Sequence, residues 1–179
     1  MAKKVNQDVD VIIANNTYGG FIHVRRNGDL VLELAEHGDD NVVTFGELKK
    51  EASKLKRAFN DLSIVITGVD SDEFTIEDVV KELRLNDVYN ELLSLGEDKL
   101  ADVSDIDIDI VRDFIEDSDF EDIEKLLKSK KSKLKRTIVE TVVEMYKSGE
   151  VSDYNKMRLI SEYLGYENEA HLWGDMKQE

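Results

Sequence analysis

The sequence predicts an α+β chain. A small β-rich N-terminal domain with one helix (residues 1–69) precedes an all-α C-terminal bundle of short helices (residues 70–179). Three observations lead there. Short runs with apolar residues at alternate positions, punctuated by Asn and Gly, fill the first part of the chain. From Asp70 onward the apolar spacing changes from two to about 3.6. The chain has no proline, which suits short helices without rigid kinks.

Residues 8–14, DVDVIIA, read as a strand. Asn15-Asn16-Thr17-Tyr18-Gly19-Gly20 reads as a turn, because Asn and Gly tolerate positive φ. Residues 21–25 and 30–34 read as two strands joined by Asn27-Gly28, the dipeptide of a type I′ hairpin turn. A short extended piece follows at 41–43. Thr44 and Glu47 then have the spacing of a capping box, in which each side chain satisfies a backbone N–H at the helix start. Leu48, Ala52, Leu55 and Phe59 lie on one face of the helix to about Asn60, and Ser63–Thr67 reads as a closing strand. These strands can share one sheet or a small barrel.

In the second part Thr75 with Asp78 repeats the capping spacing before a helix with Ile76, Val79, Val80 and Leu83 on one face, ended by Asn86. A short helix at 87–94 stops at Gly96. Residues 103–110 alternate strictly, which favours a strand, but Ile110, Val111, Phe114 and Ile115 fit a helix; a helix from about 105 is expected. Ser118 with Glu121 forms a third capping spacing. Leu134, Ile138, Val142, Met145 and Tyr146 make the longest helical stripe, closed by Gly149. Ser152 is the expected start of a helix ending at Gly165, and a last short helix is expected over 167–176.

Charge is unevenly placed. Of the net −16, residues 70–124 carry twenty-one acidic against four basic side chains, while the segments on either side are nearly neutral. Such a block repels nucleic acid and anionic membranes, so neither is expected as a partner. It reads as a solvated face or as a docking surface for a basic protein. The basic run Lys125, Lys128, Lys130, Lys131, Lys133, Lys135 and Arg136 is better matched to the neighbouring acids than to phosphate, since those acids lie within about one Debye length (~8–10 Å).

Several chemistries find no residues. There is no cysteine, hence no disulfide, thiolate nucleophile or Cys-based metal site. His23, His37 and His171 lack ligand spacing. Gly19-Gly20 lacks the Gly-Lys-Ser/Thr of a phosphate loop, and no Gly-x-Ser-x-Gly elbow occurs. Asp105, Asp107, Asp109 and Glu116 match four calcium-loop positions, but Ile110 stands where the loop needs glycine. No enzymatic activity, cofactor or metal is therefore expected. No apolar run is long enough to span a membrane. Tyr163, Tyr166, Trp173 and Met176 cluster near the C-terminus. They either pack back on the bundle or form an interface, where aromatic and Met residues concentrate.

The segments VIIANNTYGG and TFGELKKEASKLKRAFNDLSIVI, followed by an acidic, proline-free helical tail, resemble small accessory proteins of large tailed phages of Gram-positive bacteria. The resemblance covers mainly residues 9–67 and carries no residue with an assigned role. It implies a virion-associated structural or adaptor protein. Such a protein is made in the host cytoplasm and binds other virion proteins (capsid, neck or tail components), with multiple copies in the assembly. The alternative is an acidic regulatory protein that occupies a basic groove on a host or phage protein, as nucleic-acid mimics do.

Overall fold

A computed structural model describes residues 4–25, 31–166 and 173. Among them the chain is mixed α and β, with seven α-helices and five strands. It divides into two compact units, residues 1–110 and 111–179. The contact units divide at 110/111 rather than at the expected 69/70, and the described residues of the first unit hold three α-helices rather than one.

In the first unit β1 (Asp10–Asn15) is the centre of a three-stranded antiparallel sheet, flanked by β4 (Asp40–Thr44) and β5 (Ile64–Asp70). The helix α1 (Phe45–Asn60) crosses from β4 to β5. Thr44 caps it as expected: its hydroxyl accepts the Glu47 N–H, and the Glu47 carboxylate accepts the Thr44 N–H. That carboxyl is held below its ordinary range by the Thr44 hydroxyl and N–H. The strands β2 (Phe21–Val24) and β3 (Val31–Leu34) form a separate antiparallel hairpin, with Phe21 opposite Leu34 and His23 opposite Leu32. Its Asn27-Gly28 turn lies outside the described residues. The closing strand thus joins a small open sheet, and the hairpin stands beside it as a second sheet.

The Asn15–Gly20 loop differs from its expected basis. Neither Asn nor Gly there has positive φ; among the described glycines only Gly38, Gly149 and Gly165 do. The asparagines serve through their side chains instead. Asn15 donates to the carbonyls of Gly19 (2.8 Å) and Glu36 (3.0 Å) and accepts from the Thr17 N–H. Asn16 donates to the Leu62 carbonyl at 3.0 Å. Both are buried, so these bonds offset the loss of hydration.

The helices α2 (Ile76–Leu83) and α3 (Asn86–Leu93) bury Ile76, Val79, Val80, Val88, Tyr89 and Leu92 within the first unit. Thr75 and Asp78 form the expected capping box. The C-cap of α2 is Arg84, at φ 61 and ψ 44. Glycine is the usual occupant of that left-handed conformation, which costs other residues about 1–2 kcal/mol.

The outer edge of β5 explains why these helices join the sheet. The buried Tyr89 hydroxyl accepts the Ile66 N–H at 2.6 Å. One step further, Asp105 bridges Gly68 and the Ile106 N–H donates to the Thr67 carbonyl at 2.9 Å. The helix expected from about 105 accordingly begins only at Ile110, as α4 (Ile110–Asp117). Only part of the alternation at 103–110 is extended: Asp105 bridges β5, Ile106 is buried beside it and Asp105 and Asp107 face solvent, while a turn begins at Ile108.

The described elements of the second unit are α4, α5 (Phe120–Lys128), α6 (Lys135–Lys147) and α7 (Tyr154–Leu164). Its core contains Ile115, Ile123, Leu134, Ile138, Val142, Met145 and Ile160. The Ser118 capping box does not form. Asp119 is the N-cap and makes no side-chain cap bond. Likewise Asp153, not Ser152, caps α7, accepting the N–H groups of Asn155 and Lys156. Gly149 and Gly165 end α6 and α7 at positive φ, as expected. The helix expected over 167–176 lies outside the described residues except for helical Trp173.

Candidate functional site

A group of ionisable side chains in the first unit surrounds Glu51. This residue sits on α1 between Leu48 and Leu55, on the face turned into the core, and is buried. Its carboxylate meets Lys54 Nζ at 2.8 Å, His23 Nε2 at 3.2 Å and Arg25 Nε at 3.3 Å. The Lys54 ammonium holds the carboxyl below its ordinary value. Burial opposes this, and the His23 hydrogen bond and Arg25 charge help to outweigh it. The cluster ties the β2 strand to α1 by charge. By these bonds the cluster acts as a latch between β2 and α1.

A carboxyl depressed in the folded state stabilises fully above its unfolded value, and the contribution is lost as pH falls through the folded value. Acid should therefore loosen the hairpin. In Glu51→Gln, amide exchange in Phe21–Val24 and Leu32–Leu34 is expected to be faster at neutral pH and less sensitive to acidification. Parallel pH curves for the two proteins would contradict the latch.

The acidic run is spread out rather than convergent. Asp105 accepts from the Ser104 hydroxyl, Asp107 accepts the Asp109 N–H ahead of α4, and Asp109 lies 3.9 Å from His37 Nδ1. The His37 ring stacks on Tyr18 at 4.8 Å. Among the described residues no three His, Asp or Glu side chains are grouped as metal ligands. His171 lies outside the described residues.

In the second unit, part of the basic run is paired within its own helices: Lys125 with Asp122, Lys128 with Glu124 and Arg136 with Glu140, each at 2.6 Å. A polar cleft is lined by Glu116, Glu150, Asp153 and Lys156. Lys156 is only 8 % exposed, and its Nζ donates to the Ile115 carbonyl at 2.6 Å. A lysine at the carbonyl end of α4 is favoured by the helix dipole. Glu150 pairs with Arg112, and its carboxyl is held low by the Ser148 hydroxyl first and by Arg112 second.

The four C-terminal interface candidates separate. Trp173 is buried at 3 % exposure, its Nε1–H donating to Ser161 Oγ at 2.8 Å and its ring edge-on to Tyr146 at 4.7 Å. It packs back on the bundle and leaves the surface set. Tyr163 and Tyr166 remain exposed, joined by Tyr154 and Leu164, which sequence reasoning missed. Met176 lies outside the described residues. The first unit also exposes Ile22 (69 %) and Val24 on one face of β2, and Val42 on β4. Outward positions of a half-exposed antiparallel sheet are usually polar, so these apolar residues stand out. No described helix is long and apolar enough to cross a membrane.

Comparison with known protein families, curated proteins and solved structures found no match.

Proposed function

We propose that this chain is a non-enzymatic structural or adaptor protein of a tailed phage particle, binding other virion proteins through side-chain surfaces. The observation that carries the binding role is that each of the two units has its own core and also exposes large apolar side chains. Ile22 and Val24 stand out on the first, and Tyr154, Tyr163, Leu164 and Tyr166 on the second. Aromatic residues are enriched in protein contacts, so exposed tyrosines supply groups for such a contact. The assignment to a phage particle rests on the resemblance of residues 9–67. The adaptor reading needs no cofactor, and its partners are capsid, neck or tail components.

A second reading is favoured by one feature. Asp70, Asp72, Asp87, Asp98 and Asp102 are exposed on the first unit and meet no cation among the described residues. An acidic regulator of a basic protein would use such carboxylates. Quantitative mass spectrometry of purified particles separates the two. A fixed number of copies per particle is expected for the adaptor. Absence from particles, together with salt-sensitive capture of a basic protein, would favour the regulator.

A further inference from the structure

A groove of 230 Å³ runs between α1 and the end of α2 in the first unit. Ala52, Phe59, Leu83 and Leu85 give it an apolar floor, and Lys49, Lys56 and Arg84 stand at its rim. Glu82 also lines it, but its charge is committed. It pairs with Lys49 and accepts the Val5 N–H at 2.8 Å. Burial pushes the Glu82 carboxyl up, and these two bonds more than reverse that. Lys56 and Arg84 are exposed and meet no carboxylate among the described residues.

Two things make this more than a solvated rim. The first unit carries twenty-four acidic against twelve basic side chains, so two cations without a carboxylate partner, Lys56 and Arg84, beside an apolar floor run against its general charge. Arg84 is also held in the left-handed region where glycine would sit without strain. Strain of this kind clusters at ligand clamps and contact sites, and here it sets the cationic side chain at the groove rim.

The geometry points to this groove as a docking site for an acidic, amphipathic segment of a partner protein. An apolar side chain of that segment fills the floor, and its carboxylates meet Lys56 and Arg84. The volume lies below the ~300–1,000 Å³ of ordinary small-molecule sites and suits one or two side chains. The surrounding acidic surface repels an acidic partner elsewhere, which gives the contact its register. The site stands independently of whether the protein belongs to a phage particle.

The test is a titration of the full nitrogen-15-labelled chain with a capped peptide of Asp, Glu, Leu and Phe. The control is the same peptide with Asn and Gln in place of the acids. Amide shifts are expected at Ala52, Ser53, Leu83, Arg84 and Leu85. The neutral peptide and the K56E/R84E variant should each bind about tenfold or more weakly, and added salt should weaken the wild-type contact. Arg84→Gly relieves the backbone strain, so its melting temperature should rise by about 2–4 °C while peptide affinity falls several-fold. Shifts that are absent or scattered would overturn the site. So would equal binding of the neutral peptide, or undiminished affinity in Arg84→Gly.

Discussion

Trp173→Ala is expected to destabilise the second unit by about 3–5 kcal/mol, the range for deleting a buried large aromatic. The indole is buried, edge-on to Tyr146 at 4.7 Å and 66°, and its N–H reaches Ser161. Truncation empties that space and leaves the buried Ser161 hydroxyl with one partner fewer, the Met157 carbonyl remaining at 3.1 Å. Trp173→Phe removes the donor and part of the ring but keeps an aromatic group in the site, so a smaller loss of about 1–3 kcal/mol is expected. Urea unfolding followed by circular dichroism reads both. Trp173 is the chain's single tryptophan, so wild-type fluorescence reports this unit alone. Equal midpoints for wild type and Trp173→Ala would show that the indole does not hold the C-terminal segment.

Tyr89→Phe is expected to cost about 1–3 kcal/mol through the first unit. The substitution leaves the ring packing intact and removes one oxygen. That oxygen is the partner of the Ile66 N–H at 2.6 Å, in a position fully shielded from water. The N–H cannot turn to another acceptor, because it belongs to the ladder edge that faces away from β1. Burial pushes the phenol ionisation far up, with the Ile66 bond opposing, so the hydroxyl stays neutral across the accessible pH range. The loss should therefore be independent of pH up to the alkaline limit. Chemical denaturation of the two proteins at neutral and mildly alkaline pH checks both the size and the flatness. Unchanged stability would mean that a water replaces the hydroxyl.

What could be read from the sequence was mostly what is local. Thr44–Glu47 and Thr75–Asp78 form their caps within four residues, and both are present. The strands and the long α6 stripe likewise follow from periodicity along one segment. The errors lie where a distant partner decides. Residues 105–106 are extended because β5 offers an unpaired edge, which no local window contains. The unit boundary falls after Ile110 because α2, α3 and that bridge all pack within the first unit, although the sequence period changes forty residues earlier. Ser118 failed as a cap because the helix starts one residue later than its spacing implied.

The candidate site was less legible still. Glu51 was hidden in a Lys-rich helix, yet a signal was there. It stands three residues after Leu48 and four before Leu55, so a carboxylate interrupts the buried stripe. A charge at such a position needs partners, and His23 and Arg25 supply them from β2 and the residue after it. The groove rim at Lys56 and Arg84 joins residues far apart in the chain, and only the packing of α1 against α2 brings them together. Trp173 offered two readings from sequence; the bond to Ser161 decides for the interior.

The capped edge of β5 also bears on how this protein fails. An open strand edge is a template on which another chain can lay itself down, and natural sheets blunt such edges. Here one phenol oxygen and a two-residue bridge do the blunting. Damage at Tyr89 therefore uncovers adhesive backbone as well as weakening the fold. Its predicted signature in the cell is insoluble material that grows with expression level, rather than a soluble unfolded chain cleared by proteases.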